Sequence, residues 1–186
     1  LLPGGRSVIG LALARILIER GNRVLICGRD AEKLNQAAKN INNLEIQVCD
    51  LAQTDSLSNL IEVARQKLGS LTILINNAAI QLNYDFTASD KPEIVSSIDF
   101  ETAVNFTALA KLTALAVPLL KECDESAVVN IGSGLGIVPK RTAPVYCATK
   151  AAVHIFSKSL RYQFENFNRE NKKRMKVFEA ILPLVD

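Results

Sequence analysis

Clustered basic residues, long apolar runs, a secretion signal and internal repeats are all missing from this 186-residue sequence. No uninterrupted apolar run approaches the ~20 residues of a membrane-spanning helix, so we expect no membrane partner. Lysines and arginines are scattered and the formal net charge is only +3, which gives no reason to expect nucleic-acid binding. The first residues resemble part of a folded domain rather than a signal peptide.

Cysteine and histidine are also scarce. The four cysteines show no C-x-x-C spacing, and we predict no metal site. Cys27 and Cys49 lie in strand-like runs, where a buried free thiol is the simplest interpretation. Free thiols suit a reducing compartment, so we predict a cytoplasmic location. The single histidine, His154, is interpreted as structural.

Strand-like and helix-like segments alternate along the chain, and 48% of its residues are hydrophobic, enough for the core of one domain. Strands apolar on both faces indicate a parallel sheet covered on both sides. We predict a single Rossmann-type domain over residues 1–186: an α/β doubly wound sheet of order 3-2-1-4-5-6 in three α/β/α layers.

The predicted strands are Leu1–Leu2 (the tail of an incomplete first strand), Arg23–Cys27, Glu45–Cys49, Leu71–Ile75, the run before Ser133, and Lys176–Leu182. The predicted helices are Gly10–Arg20, the one capped by Asp30 and ending near Asn40, the one capped by Thr54 or Asp55 and ending at Leu68, Ile98–Lys121, and the Tyr146 helix, capped by Thr142 and ending near Asn168.

Three residues between Asn130 and Ile155 carry the chemical signal. Tyr146 and Lys150 are four residues apart on a predicted helix and so share one face. An ammonium group beside a phenol favours the phenolate and lowers the pKa from its ordinary value of ~10, which would let Tyr146 exchange protons with a carbonyl or an alcohol. Ser133, at the end of a strand, could place its hydroxyl on the same oxygen. A lone Tyr/Lys pair of this spacing usually lies on a protein surface without a function. Here the preceding strand, the glycine-flanked serine and the helix start favour a catalytic role.

The spacing from Ser133 through Tyr146 to Lys150 resembles that of the short-chain dehydrogenase/reductase family. Within that family, the run P-K-R-T-A-P-V-Y-C-A-T-K-A-A-V-H and the ending L-P-L-V-D look like the DltE-type oxidoreductases. The resemblance implies hydride transfer between a nicotinamide cofactor and a small-molecule carbonyl or alcohol. It also implies that Tyr146 is the acid/base and that Lys150 lowers the pKa of Tyr146 and binds the nicotinamide ribose. By the same resemblance, Ser133 polarises the substrate oxygen and Asn105 holds a water on the proton path. A satisfied core asparagine remains the alternative for Asn105.

The segment from Pro3 to Gly10 joins the first strand to the first helix. The family reads T-G-x-x-x-G-x-G here, and its glycines let the backbone approach a pyrophosphate. Gly4 and Gly10 match, whereas Pro3 and Val8 depart from the pattern. A valine is costly where φ must be positive, so we expect a reshaped loop or weaker binding. Taken alone, the segment is equally compatible with a turn without function.

The second predicted strand ends Cys27-Gly28-Arg29. An NAD site of this fold has an acid at the Gly28 place, whereas the guanidinium of Arg29, with Arg6 as a second positive group, suits a 2′-phosphate. NADP(H) is therefore preferred over NAD(H), although Arg29 could be an ordinary surface residue. The cofactor-binding residues that the resemblance implies are Gly4, Arg6, Ser7, Ile9, Gly10, Arg29, Asp50, Leu51, Asn77, Ala78, Tyr146, Lys150 and Val185. For Asp50, a simple loop cap is nearly as good an interpretation.

The ending Leu182-Pro183-Leu184-Val185-Asp186 stops before the threonine that follows in the family, so we expect a truncated chain without the substrate-covering segment. A non-catalytic nucleotide-binding or scaffolding protein is the second hypothesis, motivated by Pro3 and Val8. A nucleotide-sugar epimerase or dehydratase is disfavoured because no added substrate domain is seen. The two helices around Asn105 and Tyr146 form a dimer contact in the family, which implies a homodimer or homotetramer.

Overall fold

The computed structural model describes residues 1–5, 7–88 and 93–183. Its strands are β1 (Leu2–Pro3), β2 (Val24–Gly28), β3 (Leu44–Val48), β4 (Ile73–Asn76), β5 (Glu125–Ser133) and β6 (Arg174–Leu182). Its α-helices are α1 (Val8–Glu19), α2 (Ala31–Asn40), α3 (Thr54–Leu68), α4 (Glu93–Thr102), α5 (Ala108–Glu122) and α6 (Pro144–Asn171). A π turn (Ala103–Thr107) joins α4 to α5, and a 3-10 turn (Gly134–Gly136) follows β5.

The strands form one parallel arrangement in the predicted order. β2 pairs with β1 and β3, and β5 pairs with β4 and β6, all in parallel. Leu1 connects the two halves, because its nitrogen donates to the Ile73 carbonyl and its carbonyl accepts from the Ile75 amide, both at 2.9 Å. The combined order is therefore 3-2-1-4-5-6, which confirms the prediction.

Alternate residues of the central strands enter two different cores. Leu25 and Cys27 of β2 pack in the core beneath α3, α5 and α6, whereas Val24 and Ile26 pack in the core beneath α1 and α2. Side chains of a strand alternate between its faces, so a strand that is apolar at every position needs a helical layer on each side. The three-layer prediction is confirmed.

The helical segment from Glu93 to Glu122 is, among the described residues, the one long and apolar enough to cross a membrane. The sequence did not single it out, because Glu101 and Lys111 interrupt its apolar run. Its buried residues include Leu112 and Leu120 of the main core. A helix buried in the core of a protein passes the same length and composition test. Packing in the core therefore accounts for the apolar composition of this segment.

Helix starts were predicted less well than strands. Asp30 caps α2 as expected, with its carboxylate accepting from a backbone amide in the first turn at 3.0 Å. Thr142 does not cap α6, since the cap position is Ala143 and no side chain bonds there. The α3 cap is Gln53, also without a side-chain bond, while Thr54 lies inside the helix. Its hydroxyl accepts from a lysine ammonium of α5 instead, a tertiary partner that local sequence does not show.

Candidate active site

Ser133, Tyr146 and Lys150 converge on one cavity of about 250 Å³. Ser133 ends β5, and its hydroxyl accepts from the Leu135 amide of the following 3-10 turn at 3.2 Å. Tyr146 lies in the first turn of α6, which begins at Pro144, where a missing N–H costs nothing. Lys150 lies one turn further. The structure therefore brings the three predicted catalytic residues together.

Lys150 is a buried ammonium group with 4% of its surface exposed. Its Nζ donates to the Ile131 carbonyl at 2.7 Å and lies 5.6 Å from the centre of the Tyr146 ring. Burial lowers the pKa of Lys150 to about 8, because a charge loses solvation inside the protein, while the Glu179 carboxylate opposes that shift. Lys150 therefore titrates close to the physiological range.

The pKa of Tyr146 is raised above its ordinary value, opposite to the expected direction. Burial is the largest cause, a hydrogen bond with Ser133 lowers the pKa, and the neighbouring Cys147 and Glu101 raise it further. The expectation failed because the Lys150 ammonium lies over the ring and binds a backbone carbonyl. The phenol consequently keeps its proton at neutral pH.

Asn105 lies in the π turn and is buried. Its side-chain oxygen accepts from the Ile80 amide and its nitrogen donates to the Ile80 carbonyl, both at 2.8 Å, with a further bond to Thr149 at 3.2 Å. Asn105 therefore clamps the segment after β4 against α6. π turns are frequent at functional sites, and the water-holding role implied by the family resemblance stays a prediction.

Glu101 and Tyr84 form a buried pair that was not predicted as part of the site. The Glu101 carboxylate is 0% exposed and accepts from the Tyr84 hydroxyl at 2.7 Å and from the Leu82 amide at 3.2 Å. Tyr84 is buried, and Gln81 of the same segment lines the Tyr146 cavity. The available signal was a carboxylate one turn before Asn105, on the same face of the predicted helix.

The glycine loop has the close packing expected of a phosphate-binding turn. Gly4 has φ +70°, and a Cβ there would lie 2.6 Å from the Ala78 Cα. A Cβ on Gly10 would lie 2.6 Å from the Gly5 Cα. Ser7 caps α1 by accepting from the Gly10 amide at 3.1 Å. The first and last glycines of the pattern are therefore required by the backbone path.

Val8 does not strain this loop. It is the first residue of α1, is 88% exposed, and is absent from the described non-glycine residues with positive φ. The expected steric penalty at φ therefore does not arise, because the helix starts two residues before Gly10. Arg6 lies outside the described residues.

A second cavity of about 200 Å³ lies on the other side of the glycine loop. Its lining includes most of the predicted nucleotide residues: Gly4, Ser7, Arg29, Asp50, Leu51, Asn77 and Ala78. Asn77 donates to the Gly4 carbonyl at 2.9 Å and to the Ser7 hydroxyl at 3.3 Å, which fixes the loop from below. Ser7 and Asn77 also line the cavity of Tyr146. The two cavities thus adjoin, an arrangement that fits an extended two-part ligand.

Three of the predicted cofactor residues differ in their surroundings. Arg29 is exposed at the cavity rim, with its guanidinium 5.1 Å from the centre of the Phe100 ring. Asp50 accepts from the Ala52 amide at 3.0 Å, so it forms the loop cap foreseen as an alternative while also lining the cavity. Ile9 lines the Tyr146 cavity. Val185 lies outside the described residues.

Sequence comparison gives a consistent result. The family model described as short chain dehydrogenase matches residues 1–168. The chain is 39% identical over 186 residues to the uncharacterized oxidoreductase DltE of Bacillus subtilis, covering 100% of this chain and 71% of the relative. It is 29% identical over 168 residues to the very-long-chain 3-oxoacyl-CoA reductase of Mus musculus, covering 89% of this chain and 54% of that one.

Solved structures agree with this assignment. Serine dehydrogenase from Escherichia coli superposes with a TM-score of 0.85 at 25% identity, covering 98% of this chain and 81% of that one. A closed form of serine dehydrogenase complexed with NADP+ superposes with a TM-score of 0.86 at 25% identity, covering 100% of this chain and 71% of that one. Because the family model matches most of the chain and all 186 residues of the chain align with DltE at 39% identity, the chain belongs to the short-chain dehydrogenase/reductase family of oxidoreductases, and within it is similar to DltE.

Proposed function

We propose that this protein is an NADP(H)-dependent oxidoreductase that interconverts a small-molecule carbonyl and its alcohol. The observation that carries the proposal is the pair of adjoining cavities. One contains Ser133, Tyr146 and Lys150, the other contains the glycine loop and Arg29, and Ser7 and Asn77 line both. A dinucleotide lying across the loop would bring a reactive ring to the Tyr146 side.

The residues present fit such a cofactor. The α1 N-terminus and its glycine loop offer backbone amides to a pyrophosphate, Asp50 and Leu51 border the place of an adenine, and Arg29 offers a guanidinium to a 2′-phosphate. Lys150 and Tyr146 border the place of the nicotinamide ribose. When bound, the nicotinamide cofactor supplies the hydride or accepts it. The NADP+ complex of the similar serine dehydrogenase supports the preference for this cofactor.

The side chains of the site then handle the proton. Tyr146 donates its phenolic proton to the carbonyl oxygen as that oxygen gains negative charge, and Ser133 donates a second hydrogen bond to the same oxygen. In the opposite direction the phenolate of Tyr146, which forms at high pH, takes the proton from the alcohol. Because the pKa of Tyr146 is raised by burial, the protonated form predominates at neutral pH, and that form serves carbonyl reduction.

A homodimer in the cytoplasm is part of the proposal. An apolar groove of about 330 Å³ lies between α5 and α6, and Phe156, Leu160 and Phe164 are among its lining residues. Helices α5 and α6 are the ones through which the family resemblance implies dimerisation. The non-catalytic alternative has less support than at the sequence level, since Val8 adopts an ordinary helical conformation.

A carbonyl panel screened with NADPH and with NADH tests the proposal directly. We expect at least one carbonyl compound to be reduced with oxidation of NADPH, and Tyr146→Phe to abolish that reaction. Binding of NADPH without turnover on any member of a broad panel would favour the non-catalytic alternative. Failure to bind either cofactor would overturn the proposal.

A further inference from the structure

Glu179 of β6 faces the helix that carries the site. It pairs in register with Asn130 of β5, and Asn130 donates to Ser157 of α6 at 2.8 Å. Paired residues on neighbouring strands point to the same face, so Glu179 also points at α6. Its Oε2 lies 2.8 Å from His154 Nδ1, and its side chain is only 9% exposed. A carboxylate accepts only, so His154 Nδ1 carries the proton and donates.

The Glu179 carboxylate occupies space that a glycine leaves open. A Cβ on Gly132 would lie 2.5 Å from Glu179 Oε1, so any larger residue would displace the carboxylate. Gly132 comes directly after Ile131, whose carbonyl accepts from Lys150. The carboxylate thus lies along the same piece of β5 backbone that holds the ammonium group.

Tyr146, Lys150 and His154 follow one another at four-residue spacing and therefore lie on one face of α6. Charged groups reach this face from two other elements, within the part of the chain that the structure describes. Glu179 of β6 acts on Lys150, and Glu101 of α4 acts on Tyr146. From β5, the Ile131 carbonyl accepts from Lys150 Nζ. Gly136 of the 3-10 turn lies against the Lys150 backbone, where a Cβ would come within 2.8 Å of the Lys150 carbonyl carbon.

We propose that Glu179 and His154 are positioning residues for Lys150: Glu179 supplies the negative charge that keeps the buried Lys150 an ammonium ion, and His154 holds that carboxylate in the space beside Gly132. This inference rests on the proposed function, because it assigns a purpose to the charge of Lys150. Neither residue touches the reacting atoms. They act through Lys150, whose Nζ lies over the Tyr146 ring.

The consequence is a defined pH window. Burial alone favours a neutral amine, and Glu179 opposes that tendency. Removing the carboxylate charge therefore lets Lys150 lose its proton at lower pH. Glu179→Gln keeps the size and a hydrogen-bonding oxygen for His154, so it removes the charge with little change of shape.

Lysine labelled with ¹³C at the ε carbon gives a direct test by NMR titration, with Lys150→Met identifying the Lys150 signal. We expect Glu179→Gln to lower the pKa of Lys150 by about one pH unit. Glu165→Gln, which removes the same charge from an exposed position of α6, is the matched control and should leave it unchanged. His154→Ala should lower the pKa of Lys150 by part of that amount. His154→Asn can still donate to the carboxylate, so it should keep the pKa of Lys150 close to that of the unmutated protein.

The pH profile of kcat/KM for carbonyl reduction gives the second readout. Activity that needs the Lys150 cation falls as pH rises through its pKa, so Glu179→Gln should move this basic limb to lower pH by the same amount. A purely structural role would lower activity at every pH alike and leave the limb in place.

The two readouts separate this inference from the proposed function. An unchanged Lys150 titration in Glu179→Gln overturns the inference, whatever the turnover. A shifted titration in a protein that turns over no carbonyl compound supports the inference and contradicts the proposed function. If Glu179→Gln does not fold, His154→Ala decides: a Lys150 pKa equal to that of the unmutated protein overturns the inference, and a lowered one supports it.

Discussion

The Lys150 ammonium lies over the ring of Tyr146, 5.6 Å from its centre, and gives its hydrogen bond to the Ile131 carbonyl at 2.7 Å. The cation is therefore held by the strand that ends in Ser133, and its position is set by β5. This placement explains why burial, which raises the pKa of Tyr146, has the larger effect. In the proposed reaction, it would also place a positive charge near the substrate oxygen that gains negative charge.

Tyr146→Phe should remove the acid/base with little other change, because the ring and its packing stay. We expect turnover to fall by ~10²–10⁴ and the Kd for NADPH to stay within about threefold, since most of the proposed contacts lie on the glycine loop. Tyr162→Phe on the 67%-exposed tyrosine of the same helix is the matched control. Near-normal turnover in Tyr146→Phe would exclude this residue as the acid/base.

Lys150→Met should change how stability depends on pH. The folded-state pKa of about 8 lies below the unfolded value of 10.5, so the unfolded chain binds the proton more tightly. The free energy of unfolding of the unmutated protein therefore gains up to about 3 kcal/mol between pH 8 and 10.5, at ~1.4 kcal/mol per pH unit of displacement. The variant should lack this gain.

Chemical denaturation of both proteins at pH 7, 8, 9 and 10 gives the comparison. The difference between the unmutated protein and Lys150→Met should rise with pH across this window and stay constant below it. Parallel curves for the two proteins would show that the ammonium group carries no burial penalty.

The fold could be predicted from sequence because its signals are local. A run such as Val24–Gly28 is apolar at successive positions, and only a strand covered on both faces has that need. The glycine loop and the Tyr146/Lys150 spacing are local as well. The π turn around Asn105 was not predicted, since a polar residue between apolar neighbours is equally compatible with a regular α-helix.

The electrostatics of the site could not be predicted in the same way. The pairs Glu101–Tyr84 and Glu179–His154 join residues 17 and 25 positions apart, and nothing in the local sequence connects them. The direction of the pKa shift of Tyr146 also depends on burial. Burial is a property of the packed chain, so it became visible only with the structure.

Arg29→Ala should remove most of the preference for NADPH over NADH. Arg29 borders the nucleotide cavity, where Phe100 supports its guanidinium. One charge-assisted contact is worth roughly 1.5–3 kcal/mol, so the Kd for NADPH should rise about 10- to 100-fold while that for NADH changes little. Arg15→Ala, at an exposed position of α1, is the control. Equal Kd values for the two cofactors in the unmutated protein would contradict the prediction.

Val8→Gly restores the family pattern in the glycine loop. The structure gives Val8 a helical, exposed position, so a glycine there should leave the Kd for NADPH unchanged or somewhat lower. Stability should fall by at most ~1 kcal/mol, the usual cost of glycine in a helix. Calorimetric titration with NADPH measures the first quantity and thermal unfolding the second. A clear loss of affinity would mean that the valine side chain contributes to binding.

Tyr84→Phe tests the buried pair beneath the pocket edge. The phenolic hydroxyl donates to a Glu101 carboxylate that is fully buried, so its removal leaves one carboxylate oxygen without that donor. Such a loss costs about 1–3 kcal/mol, measurable as a lower free energy of unfolding, whereas Tyr162→Phe should cost nothing comparable.

The double variant Tyr84→Phe/Glu101→Gln completes a mutant cycle, and we expect a coupling of about 0.5–3 kcal/mol between the two sites. Because the Glu101 carboxylate also accepts from the Leu82 amide, Tyr84→Phe should lower turnover as well, by loosening the segment that Asn105 clamps. Additive effects of the two substitutions on stability would show that the hydrogen bond does not hold this segment in place.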